Sequence, residues 1–414
     1  MRLGPVEHDA LLARADAMAA RGLRVLAVAE ADLGDGAPVP AAPEDIAFRF
    51  LGLVGLADPL RETVPAAIRT CREAGVRVVM ITGDYPVTAR DIARRVGLAR
   101  PEAVLTGAEV NALDDAALAR RVADSDVFAR VLPEQKLRIV RAFQAAGEIV
   151  AMTGDGVNDA PALRAADIGI AMGGRGTDVA REAAHLILLD DDFASIVDAL
   201  GLGRRIWDNL KHAMAYVIAI HVPIAGLSLV PVLLGWPLLL LPMHVILLEL
   251  VIDPSCSIVF EAEPAQPDIL RRHPRPPGER LFSARLIAFG ILQGLGLLAA
   301  TLAVRAVALT QGGSEGGVRA LTFASLLLGN IALVWSNRSR SRSLLALFRV
   351  PNAALAWVTA FALGALALAL FSSFGQRLFR FEGVTPAGLV PGLVAAAAAI
   401  LWFEFLKRTP LGRT

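Results

Sequence analysis

Six long apolar stretches fill the second half of the chain, and they constrain its fold more than any other feature. They occupy residues 213–236, 238–260, 285–309, 318–336, 352–374 and 386–406. Each reaches the length of about 20 residues that a helix needs to cross the hydrocarbon core of a bilayer. Because lipid offers an open backbone no hydrogen-bond partners, we expect each stretch to form a membrane-spanning helix.

The loops between these stretches predict how they are oriented. RRHPRPPGERLFSAR follows the second stretch and NRSRSRSLLALFR the fourth, whereas LGWPLLLLP and TQGGSEGG contain no lysine or arginine. Arginine-rich loops remain on the cytoplasmic side of a membrane. We therefore expect a multi-pass protein of the plasma or inner membrane, with its soluble half and both termini in the cytoplasm. The loop 375–385, with Arg377 and Arg380, fits this orientation less well.

The first half of the chain has the composition of a soluble domain. With 55% hydrophobic residues overall, the whole chain is too apolar for a soluble enzyme. A net charge of +1, with the arginine clusters beside membrane segments, argues against a nucleic-acid partner. Cys71 and Cys256 are the two cysteines, and they fall in an amphipathic segment and a membrane segment, so neither a disulfide nor a zinc site is expected.

Apolar runs alternate with amphipathic segments from Phe48 to Leu189. This alternation predicts an α/β domain, a mostly parallel sheet covered by helices on both faces. In such sheets, ligands bind at the carboxyl ends of the strands. Two of the predicted strands end in nearly the same acidic turn, ITGD at 81–84 and MTGDGVNDAPAL at 152–163.

Both turns have the chemistry of a phosphate site. Their glycines let the backbone turn tightly and leave N–H groups pointing outward beside a helix N-terminus, an arrangement that favours a phosphate. Asp155 and Asp159 lie four residues apart at the start of a predicted helix, where carboxylates suit Mg²⁺. Lys136 lies in the first turn of the helix that begins after Pro133, where it can neutralise a transferring phosphoryl group.

The predicted membrane helices contain ionisable residues, which are costly in lipid and therefore point to function. Glu249 and Asp253 lie one helical turn apart, and Pro254 leaves the carbonyl of Leu250 without its helical partner. We interpret this pair as part of a site for a transported cation.

The first predicted span also combines an ionisable side chain with a proline that frees a backbone carbonyl. His221 lies near mid-membrane, and Pro223 frees the carbonyl of Ala219. Asn330 offers a further oxygen from the fourth span. A single His or Asn in a membrane is more often a packing contact. The interpretation as a cation site therefore depends mainly on the two carboxylates. Oxygen ligands favour a hard cation, whereas His suits a transition metal or proton countertransport.

Five segments together carry a family resemblance. In order they are DPLRETV, ITGD, FARVLPEQK, MTGDGVNDAPAL and GTDVAREAAHLILLDDDF. Followed by six spans, they resemble the C-terminal part of a P-type cation-transporting ATPase of the calcium-pump-like branch. The resemblance implies a remnant of the nucleotide-binding domain at 1–45, a haloacid-dehalogenase-like phosphorylation domain at 46–205, and a six-helix transmembrane domain at 206–414.

The resemblance also implies roles for single residues. Thr82, Gly83 and Lys136 would steady the phosphoryl group, while Asp155 would bind Mg²⁺. The other residues assigned to the same catalytic site are Asp84, Thr153, Gly154, Gly156, Asn158 and Asp159. The positions that would contact ATP are Arg24, Asp58, Arg61 and Arg130. Those that would hold the transported cation are His221, Glu249, Asp253 and Asn330.

The chain departs from the family in two respects. The nucleophile of these pumps is the Asp of an Asp-Lys-Thr-Gly motif, and none of the lysines here, Lys136, Lys211 and Lys407, follows an Asp. By itself the chain is therefore expected to lack the aspartyl phosphate, and a separate N-terminal pump fragment becomes the expected partner. Calcium pumps also carry a Glu where this chain has Ile224, which counts against calcium.

Three functional hypotheses remain open at this stage. The first is the C-terminal portion of an ATP-driven cation pump. The second is a membrane-anchored phosphatase of the same superfamily, for which Asp58 is the nearest candidate nucleophile. The third is a non-catalytic membrane protein, a cation-binding or regulatory remnant, in which metal binding depends on Glu249 and Asp253.

Overall fold

The computed structural model of the chain describes residues 5–32, 42, 46–57, 59–276, 278–340, 342 and 344–412. These form two compact units. The first combines Met1–Gly201 with Asp268–Pro277, and the second combines Leu202–Pro267 with Gly278–Thr414. Asp58, one of the predicted nucleotide contacts, lies outside the described residues.

The first unit begins with a helix and an antiparallel strand pair. Helix α1 (Pro5–Ala19) precedes β1 (Arg24–Glu30) and β2 (Arg49–Leu56), which pair from Arg24↔Leu56 to Glu30↔Arg49. The sequence analysis began the mostly parallel sheet at the apolar run after Phe48, but β2, which is that run, pairs antiparallel with β1 and lies in neither parallel sheet. No residue of either strand is fully buried, so neither strand has the two covered faces of a parallel-sheet strand.

The predicted parallel strands are confirmed, and they form two short sheets. One has the order β3-β5-β4 and the other the order β6-β7-β8, all parallel. The strands are β3 (Met80–Ile81), β4 (Val104–Thr106), β5 (Val127–Ala129), β6 (Ala151–Gly154), β7 (Ile168–Met172) and β8 (Leu186–Leu188).

Seven short helices alternate with these strands. They are α2 (Val64–Glu73), α3 (Pro86–Val96), α4 (Gly107–Ala112), α5 (Asp115–Arg121), α6 (Pro133–Ala145), α7 (Ala160–Ala165) and α8 (Asp178–Ala183). Local sequence fixes several of their ends. Thr106 and Glu109 form a capping box on α4, and a left-handed Gly97 terminates α3. Prolines occupy the first turns of α3 and α6, where a missing N–H costs nothing.

The second unit contains the membrane helices, except the first residues of the first helix, which belong to the first unit. Among the described residues, six helices are long and apolar enough to cross a bilayer, which confirms the six predicted spans. They are α9 (Ala194–Leu234), α10 (Pro242–Pro254, continued by a π-turn at Ser255–Val259), α11 (Ala284–Thr310), α12 (Glu315–Asn337), α14 (Ala353–Phe371) and α16 (Val390–Arg408). Two short helices, α13 (Leu344–Leu347) and α15 (Ser373–Phe379), lie in the connections.

Small residues allow the membrane helices to approach closely. A Cβ atom placed on Gly294 of α11 would lie 2.4 Å from the carbonyl oxygen of Ala219 on α9. One placed on Gly329 of α12 would lie 2.1 Å from Leu297 of α11. Association of helices in lipid depends on such close packing. Helix α12 lies at the centre of the bundle, with 78% of its most apolar window buried.

Candidate functional site

The turn after β3 is fixed to the end of the neighbouring strand β5. Thr82 N–H donates to the carbonyl of Phe128 at 2.8 Å, and Val131 N–H donates to the carbonyl of Thr82 at 3.1 Å. Within the turn, Asp84 N–H donates to Thr82 Oγ1 at 3.1 Å, and that hydroxyl donates to Asp84 Oδ2 at 3.0 Å. The side chain of Asp84 therefore braces the Thr82-Gly83 turn from within.

The turn after β6 is held by the buried carboxylate of Asp159. Its Oδ2 accepts the N–H of Gly156 at 3.3 Å. A Cβ atom on Gly154 would lie only 2.5 Å from the Cβ of Asp159, so the fold requires glycine there. Thr177 N–H, at the start of α8, donates to the carbonyl of Asp155 at 2.9 Å. Hydrogen bonds to Asp159 and from Thr177 therefore both hold the turn of Thr153 to Asp159 in place.

A lysine joins these two turns. Lys136 lies in the first turn of α6, which begins two residues after Val131, the residue that donates its N–H to Thr82. The Nζ atom of Lys136 lies 2.6 Å from Asp159 Oδ1. Asp159 is 6% exposed, and the Lys136 side chain is 20% exposed. The structure therefore brings Lys136 to the acidic turn, as the phosphate-site prediction requires.

The two acidic residues of the second turn have different surroundings. Both oxygens of Asp159 are engaged, by Lys136 and by Gly156. Asp155 is exposed, and its carboxylate has no hydrogen-bond or ion-pair partner among the described residues. A carboxylate that is free and exposed at a strand end fits Mg²⁺, which uses one or two carboxylates together with waters and phosphate oxygens. Asn158 is also exposed beside it.

The described nucleotide contacts of the prediction, Arg24, Arg61 and Arg130, are exposed and have different neighbours. Arg130 follows β5 with a left-handed backbone (φ 55°), and its guanidinium lies 5.8 Å from the ring centre of Tyr85. Arg61 donates to the carbonyl of Asp191. Arg24 begins β1, in the separate two-stranded sheet.

The sequence analysis missed one feature of this edge. Gly174 and Arg175, in the turn after β7, donate their N–H groups to the carboxylate of Asp191 at 2.9 Å each. Asp191 itself has a left-handed backbone. The GGRGT segment after the strand IGIAM resembles the other glycine turns, so it could have been found by the same pattern. Here the glycine turn binds a carboxylate of the chain itself.

The membrane half brings together some of the predicted cation ligands. Asn330 Oδ1 accepts the hydroxyl of Tyr216 at 2.6 Å, with both side chains fully buried. Asn330 Nδ2 is buried without a hydrogen-bond partner in the described part of the chain. The carboxylate of Glu249 is close enough to interact electrostatically with Tyr216 and Cys256, and Asp253 also interacts with Cys256. Tyr216 was not among the predicted residues.

His221 and the freed carbonyl of Ala219 point elsewhere. His221 is exposed, and its Nδ1 lies 2.7 Å from the carbonyl of Val217 in its own helix. The carbonyl of Ala219 abuts Gly294 of α11. In the described part of the chain, no three His, Cys, Asp or Glu side chains converge on a common metal position. His221 is therefore not gathered with the two carboxylates of α10.

Comparison with known proteins agrees with this arrangement. Residues 8–167 match the family model of the haloacid dehalogenase-like hydrolases, and residues 237–409 match that of the cation-transporting ATPase C-terminus. A calcium-transporting ATPase of Bacillus subtilis is 36% identical over 398 residues, which is 94% of this chain and 44% of that protein. These matches support the C-terminal part of a P-type cation-transporting ATPase.

Two other relatives match the chain with similar identity and similar coverage. Calcium-transporting ATPase 1 of Yarrowia lipolytica is 35% identical over 95% of this chain and 42% of its own length. A probable cation-transporting ATPase F of Mycobacterium tuberculosis is 37% identical over 82% of this chain and 38% of its own length. The chain thus spans less than half the length of these relatives and corresponds to their C-terminal part. The haloacid-dehalogenase-like fold and the multi-pass membrane character predicted from sequence are confirmed.

Proposed function

We propose that the chain is the C-terminal portion of an ATP-driven cation pump, coupling events in a phosphorylation domain to cation movement through its membrane helices. The observation that carries this proposal is the ion pair of Lys136 and Asp159, 2.6 Å long, beside the free carboxylate of Asp155 at the carboxyl ends of parallel strands. The names of the relatives, calcium-transporting and cation-transporting ATPases, support it.

The phosphate site assigns a distinct task to each residue. Gly83 offers its backbone N–H to a phosphoryl group, and Thr82, whose own N–H is bound to Phe128, offers its hydroxyl by turning it away from Asp84. Lys136 supplies a positive charge that Asp159 keeps in place. Asp155 holds Mg²⁺, aided by the exposed amide of Asn158. When bound, Mg²⁺ neutralises charge on the phosphoryl oxygens.

The nucleotide and the nucleophile come from a second polypeptide segment in this proposal. The Asp-Lys-Thr-Gly motif is absent from the 414 residues, so the phosphorylated aspartate belongs to an N-terminal partner fragment. ATP binds when that fragment is present. Arg24, Asp58, Arg61 and Arg130 then contact it, and the Tyr85 ring beneath the Arg130 guanidinium supports this role for Arg130.

The cation site lies on α9, α10 and α12. Glu249 and Asp253 supply negative charge, and Asn330, oriented by Tyr216, supplies an amide oxygen. The π-turn after Pro254 loosens the backbone beside these carboxylates, a feature that often accompanies functional sites. His221 also belongs to this proposed cation site, and it lies on the exposed face of α9. The soluble unit and both termini are cytoplasmic, following the arginine-rich loops.

Reconstitution with a complementary fragment tests the proposal. The chain is co-expressed with the N-terminal part of a P-type relative that carries Asp-Lys-Thr-Gly, and the membranes are assayed for acyl phosphate formation and cation-dependent ATP hydrolysis. We expect activity that Lys136→Met removes and that Glu134→Gln, a change at an exposed position of the same helix, leaves intact. A folded complex that never forms acyl phosphate would refute the pump assignment.

The membrane half is tested in the same complex. Glu249→Gln and Asp253→Asn should each raise the cation concentration needed for half-maximal hydrolysis while acyl phosphate formation from ATP remains possible. Comparing Ca²⁺, Mn²⁺ and protons in this assay identifies the cation. Phosphatase turnover by the chain alone, lost in Asp58→Asn, would instead support the phosphatase hypothesis. Cation binding without any hydrolysis would support the non-catalytic one.

A further inference from the structure

Residues 189–193 connect strand β8 to helix α9, which begins at Ala194. Within this connection, the carboxylate of Asp191 accepts the N–H groups of Gly174 and Arg175 at 2.9 Å each. A Cβ atom on Gly174 would lie 3.0 Å from Asp191 Oδ2, so glycine lets the carboxylate approach. Consecutive N–H groups in such a turn form a concave anion site. The chain fills this site with its own carboxylate, which attaches the connection to the turn after β7.

The turn that Asp191 contacts is also bonded to the proposed phosphate site. Thr177, the N-cap of α8, lies two residues after Arg175, and its N–H donates to the carbonyl of Asp155 at 2.9 Å. Asp155 is the residue assigned to Mg²⁺ in the proposed function. Asp155 and the Asp191 carboxylate are therefore joined through one short turn of the chain.

The same connection fixes the first turn of α9. Asp192 Oδ1 accepts the N–H of Ala194 and the hydroxyl of Thr63, both at 2.9 Å. The hydroxyl of Ser195 donates to Asp190 Oδ2 at 2.6 Å. The start of α9 therefore follows the position of the two aspartates on either side of Asp191.

Helix α9 extends as one element from Ala194 to Leu234. It carries Tyr216 and His221, which belong to the proposed cation site, and its internal prolines lie beyond both residues. Rigid helices can carry a displacement from one site to another. The hydrogen bonds of Asp191 thus lie on a continuous path from the proposed Mg²⁺ residue to the proposed cation site.

The backbone of Asp191 makes this contact one that can open. Its left-handed conformation (φ 55°) is rare outside glycine and persists where neighbouring contacts hold it. Here the two N–H groups hold the carboxylate, and Arg61 donates to the carbonyl of Asp191. Phe193 and Val197 instead pack in an apolar cluster with α2, a contact that does not involve the turn after β7.

We propose that Asp191 is a positioning residue that fixes the start of α9 to the turn beside the phosphate site. Movement of that turn then reaches the cation site through α9. Asp191 touches neither phosphate nor cation and acts through the N–H groups of Gly174 and Arg175. The coupling to cation transport rests on the proposed pump function, whereas the attachment of α9 to the turn does not.

Hydrogen–deuterium exchange of the full chain in detergent tests the attachment. Asp191→Asn keeps a residue type that tolerates the left-handed backbone, and it replaces one acceptor oxygen by an NH₂ donor. Peptides covering residues 173–177 and 194–200 should both exchange about tenfold faster, as expected for the loss of a charge-assisted hydrogen bond. Asp178→Asn, which removes an exposed carboxylate paired with Arg181 in α8, is the matched control and should exchange at the parent rate.

Exchange of residues 194–200 at the parent rate in Asp191→Asn would overturn the attachment. If Asp191→Asn fails to fold, Asp191→Gly takes its place, because glycine fits the left-handed backbone and lacks the carboxylate. The same two outcomes then decide the question.

Activity of the complex with the N-terminal fragment tests the coupling. Asp191→Asn should still form acyl phosphate, but the stimulation of ATP hydrolysis by the cation should fall about fivefold or more. Parent-like stimulation, or an equal loss of acyl phosphate and stimulation as in a merely structural role, would overturn the coupling. If the parent complex forms no acyl phosphate, the pump assignment fails, and the exchange experiment still decides the attachment.

Discussion

Replacing Lys136 with methionine tests the physical basis of the proposed phosphate site directly. The change removes the positive charge 2.6 Å from Asp159 Oδ1 but keeps a side chain of similar length. The carboxylate of Asp159, whose side chain is 9% exposed, would then keep only the 3.3 Å hydrogen bond from Gly156. Lys136→Met is therefore expected to destabilise this part of the soluble unit.

The size of the effect follows from the burial of the pair. Removing one partner of a buried ion pair costs about 3 to 5 kcal/mol, because the remaining charge is left uncompensated. The Lys136 side chain keeps 20% of its exposure, so we expect the lower end, about 3 kcal/mol. Since each 1.4 kcal/mol is a factor of ten, local opening should become about a hundredfold more frequent.

Hydrogen–deuterium exchange measures this opening in the full chain. Peptides that cover α6 and the turn at 155–159 should exchange about a hundredfold faster in Lys136→Met. Lys136→Arg should retain most of the protection, and Glu134→Gln, at an exposed position two residues away, should retain all of it. If Lys136→Met exchanged at the parent rate, Asp159 would not depend on Lys136 and the reasoning would be refuted.

Three further predictions follow from other contacts. The N–H of Val150 donates to Asp167 at 2.9 Å and holds the pKa of that carboxyl below its usual value. This stabilisation is present above the unfolded pKa of about 3.9 and is lost as the pH falls through the folded value. Exchange protection of Val150 should fall in that acid range, whereas Asp167→Asn should lack the dependence. Arg338→Met should destabilise the second unit by about 3 to 5 kcal/mol in detergent, because it strands a buried carboxylate; an unchanged unfolding transition would contradict this. Gly294→Ala should cost about 1 to 3 kcal/mol through its clash with a carbonyl of α9, while Gly364→Ala, with open space around it, should be neutral in the same unfolding assay.

Local patterns of the sequence located most elements of the fold. Five of the six predicted spans agree with the observed helices within a few residues at each end, because the length of a membrane helix follows directly from the length of its apolar run. The first helix begins at Ala194, far before the predicted 213, since its early part is polar and has no hydropathy signal. The two Thr-Gly-Asp turns were located in the same way, because glycine and acidic residues at strand ends form a local pattern, and their binding of phosphate stays a prediction.

Pairing between distant segments could not be predicted in this way. The contact of Lys136 with Asp159 joins residues 23 positions apart, and β2 pairs with β1 and not with the parallel strands. The hydrogen bond from Tyr216 to Asn330 and the exposed orientation of His221 likewise depend on how the membrane helices pack.

The sequence by itself determined the element types, the six spans and the residues that can carry the chemistry. The tertiary structure decided which of those residues meet. The physical reason is that helix and strand periodicity arises within a few residues, whereas the partner of a buried charge or amide is set by close packing of elements far apart in the chain.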